Sequence, residues 1–494
     1  MAASIAGSRR TDSELWSRPI SVTERSTGPD SSIVIAAGLL GAGIVAGMAL
    51  NLGPVATIAA AVAIGASLVS PVVGLAVLAF MAPLKEPPTI PAPGFDAAMV
   101  GAILLGCIYR LPIDRPRLRF SAPVVVLVAF ILLVSISQLP DMLTGWTGTV
   151  GHLVGFEYIQ LLTSFGAVLA TVYVLSNRSP YPVLIMGLAG AALAGAIALV
   201  MFRGTFGPFV NLAVASVDGS RALGPFGNPN YLGVFAAIAL VSALALAVHA
   251  RTRVGRYLLL ATTCLLAIAL AVSLSREALI AVAVGVLVLV VFQSRRLAFI
   301  LVLVGVPLAL IGYPAFVEWR LISESGSASA AAYAATSLSD SARLTALQAG
   351  AQMFLASPIL GIGFGYYAQM SVVIGGAPFQ IAAHNWYVTV LAEEGSIGIF
   401  LWLMLLATVV VALRSRPPAA QAMGYAVFGA FAAGSFFLEP PTSFQTMALP
   451  AIFLVAALVG RWTRPADPAT DLATDPASGQ LLAETSALPA AESA

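Results

Sequence analysis

Apolar runs follow one another along almost the whole chain, first at Ser32–Leu50, then at roughly 55–69, 71–84, 96–110, 121–138, 155–176, 182–202, 229–249, 257–273, 278–293, 297–314, 386–413, 419–438 and 447–461. A helix needs about 20 apolar residues to cross a bilayer, so these fourteen runs, several of them short, predict an all-α polytopic membrane protein of about 12–14 transmembrane helices. The polar connections are brief except for residues 315–385. There the pattern predicts an amphipathic helix, Asp340–Ala356, with Leu344, Leu347, Ala351 and Phe354 or Leu355 on one stripe against the membrane surface. Ser339 is its expected N-cap and Ser357-Pro358 its expected stop.

Polar ends flank the membrane region 32–461: residues 1–31, and an Ala-, Pro-, Thr- and acid-rich tail, 462–494, expected to be disordered. The first run is too long and too poorly flanked for a cleaved signal peptide, so it stays as a helix. Composition agrees with the pattern: 59% of residues are hydrophobic and 9% charged, and the two cysteines, Cys107 and Cys264, lie inside apolar runs and imply no disulfide framework. Net charge is +2 with the basic residues scattered, which points away from a nucleic-acid partner.

Charge also sets orientation. Val55–Pro83 reads as one tilted helix or as two short ones broken at Ser70-Pro71. With two passes and a cytoplasmic N-terminus, eighteen of the 24 basic residues fall on the cytoplasmic side; one pass reverses everything downstream against the positive-inside rule. Two passes are therefore expected, with both termini cytoplasmic and the 315–385 loop outside. Six basic residues are then outward: Lys85, Arg203, Arg221, Arg276, Arg320 and Arg343. Lys85, Arg203 and Arg320 lie near span ends, where interfacial anchoring explains them.

Arg276 differs, because apolar runs flank the Ser273-Leu-Ser-Arg-Glu277 turn on both sides and such an arginine faces a cavity or a partner. Glu157 is one structural partner to consider; Glu277, about 100° around a helix, is a poor one. Arg343 stands near the start of the loop helix. His384, one of three histidines, precedes Asn385-Trp-Tyr387 at the start of a span, and a near-neutral imidazole is the usual proton acceptor from a hydroxyl. His249 is expected at the cytoplasmic interface, and His152 has no comparable surroundings. Gly361-Ile-Gly-Phe-Gly365 is a flexible turn rather than a dinucleotide loop, no Walker lysine is present, and Glu318, Glu324 and Asp340 are too dispersed for a cation site. The sequence therefore points to chemistry without metal, nucleotide or other cofactor.

Four blocks in order resemble the O-antigen ligase and O-antigen polymerase superfamily of GT-C-type membrane glycosyltransferases. They are Arg221-Ala-Leu-Gly-Pro-Phe-Gly-Asn-Pro-Asn230; Ser275-Arg276; Asp340-Ser-Ala-Arg343 followed by Ser357-Pro-Ile-Leu-Gly-Ile-Gly363; and His384-Asn-Trp-Tyr with Glu393-Glu-Gly-Ser-Ile-Gly398. The resemblance runs from about Arg221 to Gly398. It implies a multi-pass enzyme of the bacterial cytoplasmic membrane that moves a glycan from a polyprenyl diphosphate carrier to a hydroxyl of a glycan, lipid or wall acceptor on the outer face, without metal and with inversion. On this sequence it implies that Arg276 and Arg343, with Arg221 as a further contact, bind the diphosphate, and that His384 is catalytic as the proton acceptor. Asn230 and Glu393 match family positions and serve helix packing equally well. A polymerase joining lipid-linked repeats is an alternative, although the spacing of arginine, ten residues and glycine typical of polymerase loops is absent at Arg203, Arg221 and Arg343. An exporter of anionic glycolipids, with arginines lining a pathway, is the alternative of a different class.

Overall fold

The computed structural model describes residues 31–84, 94–114, 121–176, 178–202, 221–250, 252–325, 330–439 and 443–462, without the side chains of residues 113, 114, 309, 320, 321 and 323–340. Lys85 and Arg203 lie outside the described residues, as do the expected polar ends before residue 31 and after 462, and Arg320 is described only as backbone.

The described chain is a bundle of helices. Its first part comprises α1 (Ser31–Ala49), α2 (Gly53–Val69), α3 (Pro71–Met81), α4 (Gly94–Asp114), α5 (Ala122–Ser137), the short α6 (Leu139–Thr144), α7 (Gly148–Leu175) and α8 (Tyr181–Val200). The second part comprises α9 (Pro229–His249), α10 (Arg253–Ser273), α11 (Arg276–Gln293), α12 (Arg295–Ser325), α13 (Ala330–Ala356), α14 (Tyr367–Val373), α15 (Trp386–Leu413), α16 (Pro418–Gly434) and α17 (Phe444–Val459). Proline occupies the first turn of α2, α3, α5, α8, α9 and α16, where its missing N–H costs nothing. Eight helices are long and apolar enough to cross a membrane, or nine if bent α12 counts as one span, while α2, α3, α5 and α17 are shorter apolar helices. The protein is an all-α polytopic membrane protein.

The chain reverses at Ser70, which leaves helical geometry at φ −135° and ψ 89°. A Cβ on Gly74 would stand 2.6 Å from the Cβ of Ser67. Residues seven apart in one helix are separated by roughly 10 Å of rise, so α2 and α3 are two antiparallel helices.

Packing relies on small residues, as it does where lipid leaves no hydrophobic drive between helices. Helix α9 is the central one, with 83% of its membrane-length window buried, whereas α10 shows 17%. A Cβ on Gly233 of α9 would meet Ser273, Ser275 and Ala278, so α9 lies directly against the α10–α11 turn.

Two expectations are corrected. Helix α12 continues to Ser325, past the expected end of its span at 314, and α13 begins at Ala330, so Ser339 lies inside a helix and is not its cap. The Leu344, Leu347 and Leu355 stripe is exposed; the packed face is Ala346, Ala349, Gly350 and Met353. The period is as expected, and the small residues of the opposite face permit close contact with α14 and α15. The stop at Ser357-Pro358 stands where expected.

Candidate functional site

Asn228, Ser275, Asn385 and Ser443, which begin or precede helices, gather at one end of the bundle. Arg178, Arg416 and Arg461 gather at the other, where the Arg461 amide donates to the Arg178 carbonyl (3.1 Å) and the Arg416 guanidinium to the Gly460 carbonyl (2.5 Å).

At the Asn385 end, α10 finishes on Leu274 in the left-handed region (φ 52°), turning the chain at once into α11. This leaves the carbonyls of Val272 and Ser273 free of helical partners. Residues 221–222 take them: the Ala222 amide donates to Val272 (3.0 Å) and Arg221 Nε to Ser273 (2.9 Å). Arg221 also donates to Asn230 Oδ1 (2.6 Å), which ties it to the first turn of α9, and Asn228 caps that turn through the Asn230 amide (2.8 Å). Two residues of one sequence block are thus bonded to each other.

Ser275 caps α11, accepting from the Ala278 amide (3.3 Å), and its hydroxyl donates to Glu277 Oε2 (3.0 Å). Glu277 is 2% exposed, and its other oxygen pairs with Arg343 of α13. Arg276 is half-buried on the neighbouring face, with Nη1 3.5 Å from the Tyr313 hydroxyl of α12. Glu277 therefore holds Arg343 rather than Arg276.

The fourth block contains a broken helix. Gly395 sits at φ 65°, ψ −159° inside α15, so the ladder opens there. The chain after α13 fills the gap: the Ile362 and Gly363 amides donate to the Ala392 and Glu393 carbonyls (3.0 and 2.9 Å), while the Ser396 amide donates to Pro358 (2.9 Å). The sequence blocks 357–363 and 393–398 are thus one hydrogen-bonded unit. The Glu393 carboxylate accepts from the Tyr367 amide (2.9 Å) and the Gly365 amide, so this residue builds the loop.

His384 enters α15 in the left-handed region (φ 48°), and Asn385 caps the helix twice, accepting from the Tyr387 and Val388 amides (3.0 and 3.2 Å). The Trp386 amide donates to the Ser435 carbonyl (2.9 Å), and neighbouring Gly434 packs against Ala281, one turn from Glu277. Sequence reasoning missed Glu439, in the connection after α16. Its carboxylate accepts from the Thr389 hydroxyl (2.7 Å) and from the Ala383 and His384 amides, and stands within electrostatic range of the His384 ring. Burial pushes its carboxyl above the usual range, and the Thr389 hydrogen bond and the nearby imidazole oppose that rise. Burial beside Glu439 and Glu393 likewise raises the Tyr367 phenol. The signal was an isolated acid in Phe436-Phe-Leu-Glu-Pro-Pro441 of a chain that carries few.

Of the other histidines, His249 contacts the Ala245 carbonyl of its own helix (2.8 Å) and His152 is exposed. A cleft lined by Val124, Val168, Trp402, Phe431, Leu454 and Val459 has almost no polar surface, which excludes it as a diphosphate site.

Residues 261–403 match the family model described as O-antigen ligase. This segment belongs to the O-antigen ligase superfamily. It contains Arg276, Arg343 and His384, while Arg221 precedes it and Glu439 follows it. The family match supports a glycosyltransferase-like activity of ligase or polymerase type in polysaccharide biosynthesis, with lipid-linked glycan and acceptor as partners in general. No curated protein matches the chain.

Proposed function

We propose that the protein transfers a glycan from a polyprenyl diphosphate carrier to an acceptor hydroxyl, at a site on the outer face of the cytoplasmic membrane. The observation that carries this reading is the gathering, at one bundle end, of Arg221, Arg276 and Arg343 on or beside α9, α11 and α13, with His384 across the packed Gly434–Ala281 contact. Guanidinium groups stay charged and bind phosphate oxygens bidentately, so the three fit a diphosphate whose charge grows as the glycosidic bond breaks. The acceptor oxygen bonds to the anomeric carbon, the bond to the phosphate oxygen breaks with its electron pair, and His384 takes the hydroxyl proton. Attack from the face opposite the leaving group inverts the centre.

The reversal at Ser70 supports the count of passes that puts His384 outside, and the cluster of Arg178, Arg416 and Arg461 at the other end supports a cytoplasmic location for that end. Lipid-linked glycan from the protein's own host, incubated with purified protein in lipid, tests the reading by mass analysis of the product. Glycan on a new hydroxyl acceptor with release of the polyprenyl diphosphate is expected; glycan joined to a second lipid-linked unit would make it a polymerase, and unchanged substrate would contradict transfer.

A further inference from the structure

Glu439 is the acid beside His384, and its carboxylate receives the backbone amides of Ala383 and His384 as well as the Thr389 hydroxyl. These contacts close one ring: α15 starts at Asn385, Thr389 lies one turn in, and Glu439 returns from the far end of α16. His384 holds a left-handed backbone without being glycine, a conformation that persists only when its surroundings fix it. The two amides bound by Glu439 supply that fixation.

The neighbourhood makes this charge costly. Glu157 from α7, Glu393 from α15 and Tyr367 from α14 all lie within electrostatic range of Glu439, and burial disfavours its charge; the charged ring of His384 favours the carboxylate. A carboxylate kept among acids and hydrogen-bonded to the backbone of a histidine has a ready counterpart in the imidazolium.

We propose that Glu439 is the positioning residue of the reaction, its carboxylate fixing the His384 turn and compensating the positive charge the ring acquires on taking the acceptor's proton. The inference rests on the reading of His384 as proton acceptor. In the transfer step Glu439 exchanges no proton: the proton stops on the imidazole ring and the electron pair leaves with the diphosphate. Glu439 touches no reacting atom.

The test is the titration of the three histidine rings by ¹⁵N NMR of the full chain in lipid nanodiscs, with His384 assigned from its absence in His384→Gln. Glu439→Gln lowers the His384 midpoint relative to the wild-type protein, because loss of a nearby opposite charge disfavours the imidazolium. Glu439→Asp, which keeps the charge one methylene further back, gives an intermediate fall, and His152 and His249 do not move. An unchanged His384 midpoint in either variant, shown folded by a single cooperative thermal transition, overturns the proposal. No substrate is needed, so this result is separable from the base role: the midpoint can stay fixed while His384→Gln still abolishes transfer, or fall while His384→Gln remains active.

Discussion

The guanidinium of Arg343 is paired with the buried carboxylate of Glu277, sixty-six positions earlier in the chain. Glu277 sits in the first turn of α11, next to Arg276 in sequence but about 100° around the helix from it, so the carboxylate binds Arg343 while Arg276 occupies the neighbouring face. Arg343 keeps 29% of its side chain exposed, enough to meet a ligand while anchored.

Removal of that anchor has a measurable cost. Glu277→Ala leaves Arg343 without its partner and is expected to lower stability by about 2–3 kcal/mol, less than for a fully enclosed pair because Arg343 stays partly exposed. The thermal transition in detergent reads this. Glu277→Ala with Arg343→Ala should be less destabilised than the sum of the single variants, and strict additivity would show that the two do not interact.

Arg276 predicts the opposite division. As a diphosphate contact, Arg276 predicts that Arg276→Ala stays folded while losing transfer by at least about 100-fold. Parallel loss of fold and activity would mark Arg276 as structural.

The break in α15 predicts a loss of structure from two small substitutions. Gly361 (φ 75°) and Gly395 (φ 65°) both hold left-handed backbone, and a Cβ on either would meet the opposing strand of the paired unit, Glu393 for Gly361 and Ile359 for Gly395. Gly395→Ala and Gly361→Ala are each expected to cost at least about 1–3 kcal/mol in backbone strain alone. Wild-type thermal transitions in both would remove the paired unit from the account.

Glu439 links stability to pH with a definite sign. Burial holds its carboxyl above the ordinary glutamate value of about 4.3, so the fold favours the protonated acid. Its contribution to stability is full below that ordinary value and is lost as pH rises through the raised one. As pH rises from about 4 through that raised value, the wild-type transition should therefore fall by a component that Glu439→Gln lacks. An identical pH dependence of stability in the two proteins would contradict this.

The passes could be read from the sequence because each apolar run carries its own signal, and the arginine distribution resolved the ambiguity at Ser70 that hydropathy left open. Arg221, Arg276, Arg343 and His384 stood out as rare polar residues in apolar surroundings. What joins them did not, since the Arg343–Glu277 pair and the pairing of 357–363 with 393–398 depend on how helices far apart in sequence approach. The packed face of α13 has the same origin: Ala346, Ala349, Gly350 and Met353 are small or flexible residues whose contact partners lie far along the chain. Glu439 escaped notice because its connection is too short to show a pattern, although an isolated acid between two membrane runs was itself a signal.

The central claim is that His384 accepts the proton of the incoming hydroxyl. Purified wild-type protein and His384→Gln, both in nanodiscs and matched in thermal transition, are given host lipid-linked glycan and acceptor, and transfer is measured from about pH 5 to pH 8. Wild-type activity is expected to fall on acidification as the imidazole protonates, and the variant to lose transfer by at least 100-fold at every pH while still binding the donor. Undiminished transfer by folded His384→Gln would contradict the account.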